Sequence, residues 1–202
     1  MRVAASEFQR LEVEAHAILR DVKIHDVTAI DLPGGGAGRT LSDVRLLLGP
    51  DKLTTPNPLV RGLFSLRWGL GRLFGWDRER RVHRERSYVR RIGSGIERRS
   101  ARPPGSPDGP FRLLYLLERE SLAEVQNATV HAFLASALTE TLGGYRLYWA
   151  VYVKPVSRLT PVYMALIEPF RRFVVYPMML RHLRKAWVRR YRPDAAAPGR
   201  RE

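Results

Sequence analysis

Between Pro161 and Trp187 the chain places Tyr163, Leu166, Ile167, Phe170, Phe173, Val174, Leu180, Leu183 and Trp187 at spacings of three and four. That period belongs to a helix, and an apolar stripe of this length must be covered by something. Glu168, Arg171, Arg172, His182 and Lys185 take up much of the remaining surface. No uncharged run therefore approaches the roughly 18 residues that a spanning helix needs. Pro161 behind Thr160 suits a first helical turn. Pro169 and Pro177 lack amide donors and clash with the preceding turn, which predicts a bend. A long, bent, one-sided helix calls for a curved apolar partner, and a twisted sheet is the natural one.

The sequence supplies such a sheet. "ATVHAFLASALTE" and "YRLYWAVYVKP" flank Gly143 and Gly144 as the two strands of a hairpin. In the second, Leu147, Trp149, Val151 and Val153 share one face, and Arg146, Tyr148, Tyr152 and Lys154 the other. A two-residue Gly143–Gly144 turn pairs Leu138 with Trp149, Ser136 with Val151 and Leu134 with Val153. The core face then holds Leu134, Leu138, Trp149, Val151 and Val153, with His131 and Phe133 opposite. A longer loop could slip the register by one and reverse the assignment.

Upstream, residues Glu7 to Arg20 read as a short helix through Leu11, Ala15, Ile18 and Leu19. "KIHDVTAIDLP" is a strand closed by Pro33, and "TLSDVRLLLG" a helix with Thr40 or Ser42 as N-cap and Gly49 as stop. "LVRGLFSLRWGLGRLFGW" repeats leucine at three and four and also reads as helix, although Gly62, Gly69 and Gly71 each cost it about 1 kcal/mol. From Asp77 to Pro110 the apolar pattern gives way to arginine, serine, glycine and proline, a basic and partly mobile excursion. "FRLLYLLE" is a strand and "SLAEVQ" a strand or short connection. "RPDAAAPGRRE" reads as a disordered tail. The expectation is a single domain over residues 1–190 with the excursion at 77–110 and the tail at 191–202.

Composition narrows the chemistry. The 202-residue chain contains no cysteine, which removes disulfides, thiolate metal sites and cysteine nucleophiles. The early stretch lacks a continuous apolar run, since Glu12, Glu14, His16 and Arg20 interrupt it, so a cytoplasmic chain is expected. A net charge of +15 invites a nucleic-acid or anionic-membrane reading. Only four basic residues are lysine, however, and an arginine, alanine, glycine and proline bias follows GC-rich codons. Nucleic acid is thus disfavoured as a partner, while the cations near Trp187 leave peripheral membrane contact open. "GGGAGRT" has Pro33 and Arg39 where a phosphate loop needs glycine and lysine, and it reads as a turn. The histidines lack ligand spacing, so neither metal nor cofactor is expected.

"LFSLRWGLGRLFGWD", "NATVHAFL", "YVKP" and "YMALIEPFRRFVVYPMML" together resemble a bacterial family, domain-of-unknown-function family 2867, over roughly Leu59 to Trp187. The resemblance implies an α+β domain of the START-like helix-grip kind, an antiparallel sheet wrapped around a long C-terminal helix. It implies no activity. The element order from the residues agrees with that layout, with about five clear strands. In such a fold Tyr145, Trp149, Tyr163, Phe170 and Tyr176, with Leu134 and Val151 of the hairpin, surround the sheet–helix contact. They either fill the core or line a pocket for an apolar or amphipathic small molecule. His131 with Glu124 is a candidate acid–base pair for a cyclase-like or hydrolase-like reaction, set against a structural or surface histidine.

Overall fold

The computed structural model describes residues 1–49, 87–126, 130–156 and 160–191, with the side chains of Val162, Tyr163, Leu166, Ile167 and Phe170 excepted. The glycine-bearing helix expected from Leu59, the first part of the basic excursion, Asn127, Thr129 and the tail from Arg192 lie outside the described residues. Two short helices, α1 (Ala5–Gln9) and α2 (Glu14–Ile18), lead into β1 (Lys23–Pro33) and α3 (Leu41–Leu48). A 3-10 turn (Tyr88–Arg91) and α4 (Ser94–Arg99) precede β2 (Pro107–Asp108), β3 (Phe111–Leu116), β4 (Glu120–Gln126), β5 (Val130–Thr141) and β6 (Gly144–Pro155). The chain then forms α5 (Thr160–Phe170), a π-helical segment (Arg171–Val175) and α6 (Tyr176–Tyr191).

All six strands form one antiparallel sheet in the order β1-β6-β5-β4-β3-β2. Strands β2 to β6 form a meander, and β1 returns to the edge beside β6. This is the α+β helix-grip arrangement, with six strands where the sequence shows about five. The sixth is the two-residue β2, too short to leave a sequence pattern.

The hairpin register differs from the expected one by two residues. Leu138 faces Leu147, Ser136 faces Trp149 and Leu134 faces Val151, because Leu142 and Gly143 make the turn and Gly144 already belongs to β6. Gly144 is required there. Its φ is +145°, and a Cβ would lie 2.3 Å from the Leu32 carbonyl oxygen. A slip of two leaves every side chain on its expected face.

Both faces of the sheet are buried, which the sequence reading did not anticipate. On one face α6 seats Leu180, Leu183 and Trp187 against Leu32, Leu113, Leu138, Leu147 and Trp149, with Leu41 and Val44 of α3 at the side. On the other, Phe8, Ala15, Ile18 and Leu19 of the N-terminal segment meet Val27, Phe133, Ala135, Tyr148 and Tyr152, joined by Tyr88. The expected helix at 7–20 is therefore two helices. A continuous helix would turn Val13 about 140° away from Phe8, whereas the break lets Val3, Phe8, Leu11 and Val13 all reach this core. Glu120 holds the start of α2, accepting from the Glu14 N–H at 3.0 and 3.2 Å.

A bulge at His25 sets the phase of β1. Ile24 pairs with Tyr152 and Asp26 with Val151, so one residue is unpaired between them. Ile24 and Val27 consequently share the α1–α2 face, and Asp26, Thr28, Ile30 and Leu32 turn toward α6.

The expected bend in the final helix takes the form of the π segment, between Pro169 and Pro177. Pro177 cannot donate to the carbonyl four residues back, and the ladder widens there. The N-cap expectation for α3 also holds at Thr40, whose N–H donates to the Asp43 carboxylate at 2.9 Å. No helix among the described residues is long and apolar enough to cross a membrane.

Candidate functional site

On the α6 face, β1 and the π segment with α6 do not close completely. Between them runs a half-open groove of about 600 Å³. Arg171 meets Asp26 at one end and Trp187 donates to the Pro33 carbonyl at 3.1 Å beyond the other, so strand and helix run in the same direction. Phe173, Tyr176, Pro177, Leu180, Arg181 and Arg184 line the helix side. Their spacing puts them on one helical face. Thr28 and Ile30 supply the strand side, because the bulge has turned them there. The lining is mostly apolar, while its charged residues are six arginines and three carboxylates.

The inner end of the groove is built around Arg171. Its Nη2 donates to Asp26 Oδ2 at 2.6 Å, and its Nε donates to the Tyr176 hydroxyl at 3.1 Å. Burial would lower the Arg171 pKa, but Tyr176 and Asp26 outweigh it and the value rises. The Tyr176 phenol is pushed up to about 12, chiefly by burial, with Asp26 adding and Arg171 opposing. Arg171 is thus a fixed cation and Tyr176 a neutral hydroxyl across the physiological range. Residue type alone hides this pair on the helix. The available signal was Asp26 at an inward strand position beside Thr28 and Ile30, opposite an arginine set inside an apolar stripe.

Of the residues expected to bind a ligand, Tyr176 lines the groove. Leu134, Trp149 and Val151 lie on the same sheet face, with Trp149 and Val151 buried and Leu134 partly buried. Tyr145 is buried against Trp187 at 5.8 Å between rings. Its hydroxyl donates to the Gly36 carbonyl at 2.8 Å and accepts from the Arg39 N–H at 3.1 Å. The glycine-rich loop thereby wraps Tyr145 and Trp187. Gly35, with φ +102°, lets the indole approach where a Cβ would stand 2.9 Å from it. The Tyr163 and Phe170 side chains lie outside the described residues.

His131 and Glu124 do come together, on the opposite face of the sheet. His131 Nε2 is 3.0 Å from Glu124 Oε2, and the two residues are 2% and 4% exposed. Glu124 also accepts from the Ser87 hydroxyl and from the Tyr88 N–H at 3.1 Å. Burial raises its pKa, but the hydrogen bonds from His131, Ser87 and Tyr88 outweigh burial and the net shift is downward. An ionised carboxylate only accepts, which puts a proton on His131 Nε2. The histidine expected away from the core is therefore inside a second core, edge-on to Tyr88 at 5.3 Å. Neither residue lines the groove.

Tyr88 continues the network outward, donating to Asp21 at 2.9 Å and accepting from Lys154 at 2.9 Å. Arg91 holds Asp21 with both terminal nitrogens and holds its carboxyl well below the usual range. The described part of the basic excursion is thus built into the fold, with Ser87 and Tyr88 as its anchors. Among the described residues no cluster of three or more histidine and acidic side chains could hold a metal ion.

No curated protein and no solved structure matches the chain. The family described as "Protein of unknown function (DUF2867)" matches residues 18–178, which run from α2 through the π segment and include Asp26, Arg171 and Tyr176. The chain belongs to the DUF2867 family.

Proposed function

We propose that the protein is a binding module that holds an amphipathic small molecule in the groove between β1 and the bent C-terminal helix, in a cytoplasmic setting. The observation that carries this reading is the incomplete closure of the sheet on one side. Ile30, Tyr176 and Leu180 form a mostly apolar floor of small-molecule size, and polar groups sit at defined places around it. The groove's volume of about 600 Å³ falls within the range of small-molecule sites. The absence of cysteine suits a reducing compartment.

Nile red, a neutral apolar dye whose emission rises in a dry environment, tests the site. Its fluorescence should increase with the native protein. Ile30→Trp, which fills the floor from a partly exposed position, should abolish the increase while leaving the thermal midpoint in place. Dye binding unchanged in Ile30→Trp would refute the assignment. Mass spectrometry of small molecules carried through native purification would then identify the natural occupant.

A further inference from the structure

Deepening the groove reading, and resting on it, we infer that the occupant is a single-chain amphiphile with an anionic head, and that Arg181 and Arg184 recognise that head. The argument is one of unspent charge. The lining holds six arginines against three carboxylates, and two of those carboxylates are already paired with arginine within the protein. Asp26 is held by Arg171 at 2.6 Å, Asp31 lies 3.4 Å from Arg146, and Glu168 lies 3.4 Å from His25. Arg2, Arg172, Arg181 and Arg184 also line the groove, and none has a carboxylate partner among the described residues. The groove therefore presents uncompensated positive charge to whatever occupies it.

Two of these four arginines, Arg181 and Arg184, stand together at the outer end of the groove. From Phe173 to Arg184 the helix face spans about 16 Å at 1.5 Å per residue. Tyr176, Pro177 and Leu180 come first, and Arg181 and Arg184, one turn apart, come last. At the inner end Arg171 is already saturated by Asp26 and Tyr176, and Arg172 stands alone there with its guanidinium 5.4 Å from the centroid of the Phe173 ring. A straight chain laid on Ile30 and Leu180 would bring a carboxylate or phosphate to the two free guanidinium groups, which are suited to such planar or multi-oxygen anions.

Displacement of Nile red by matched ten-carbon amphiphiles decides the matter. Decanoate and decyl phosphate should displace the dye at about one-tenth the concentration needed for decan-1-ol, the gain of a charge-assisted contact. Decyltrimethylammonium should be the weakest. In Arg181→Gln/Arg184→Gln, whose altered side chains are exposed, the anionic preference should vanish while decan-1-ol competes as before. Equal competition by decanoate and decan-1-ol, or a preference that survives the double substitution, would overturn the head-group assignment and leave the groove standing. Retention on phosphatidylglycerol vesicles without displacement by monomeric decanoate would overturn it as well, because the arginines would then be reading a bilayer surface. Failure of the dye to bind at all would remove the groove itself.

Discussion

The two faces of the sheet are closed by different means. On the α6 face a single fully buried indole, Trp187, is the largest fastener, and the closure is apolar except for the groove beside β1. On the α1–α2 face a buried carboxylate draws the chain inward, Glu124 gathering Ser87, the Tyr88 N–H and His131. The residues that look like chemistry thus lie where the structure is enclosed. The residues that look like packing border the space that is open. Acid–base residue types are poor guides to a site when a buried polar cluster is needed to attach a segment as rich in arginine as 87–99.

The largest expected effect comes from breaking the apolar closure. Trp187→Ala should cost about 4 kcal/mol, as for other fully buried large aromatic residues, read from the urea midpoint. A loss under 1 kcal/mol would mean that α6 is not the lid of its face. Breaking the polar closure comes next. Glu124→Ala leaves three donors without their acceptor and should cost about 3 kcal/mol.

The same carboxylate gives the second face a pH signature. Because its folded pKa is lowered, its contribution is present above the ordinary value of 4.5 and is lost as pH falls through the folded value. Glu120, raised by burial, slopes the opposite way. The readout is therefore the difference between wild type and Glu124→Gln, which should narrow as pH falls below 4.5. A constant difference down to acid unfolding would show that the Glu124 network is not what titrates.

A smaller effect marks the groove face. Tyr176 is raised from 10.0 to about 12, so its contribution is intact below pH 10 and fades as pH climbs through about 12. Spectrophotometric titration near 295 nm should lose one late-ionising phenol in Tyr176→Phe. Loss of a phenol ionising near 10 would place Tyr176 in solvent. The smallest effect belongs to neither face. Arg119 and Glu140 pair on the surface with about half of each side chain exposed, and Arg119→Ala should change stability by no more than about 0.5 kcal/mol.

Much of the frame was legible in the sequence because it rests on local signals. Pro33 closes β1, Thr40 and Gly49 bracket α3, and Pro169 and Pro177 mark the place where the last helix changes register. The hairpin faces came out correctly even with a register off by two, since side chains alternate with a period of two. The second core was not legible. It depends on Tyr88 reaching Phe133 and Asp21 across long sequence separations, from a stretch whose composition reads as surface. The groove was hidden for a related reason. Asp26 faces Arg171 only because His25 is bulged out, and a bulge is a property of the paired strands.

The π segment has a geometric corollary for everything after it. Each residue of an α-helix turns the chain by about 100°, so a turn with one surplus member works as an angular spacer. Ordinary winding from Arg171 to Val175 would bring α6 around with another row of side chains inward. The indole at Trp187 would then be steered away from Gly35 and Pro33. One extra residue at a proline keeps sixteen others in step with a strand that sits more than a hundred positions earlier in the chain.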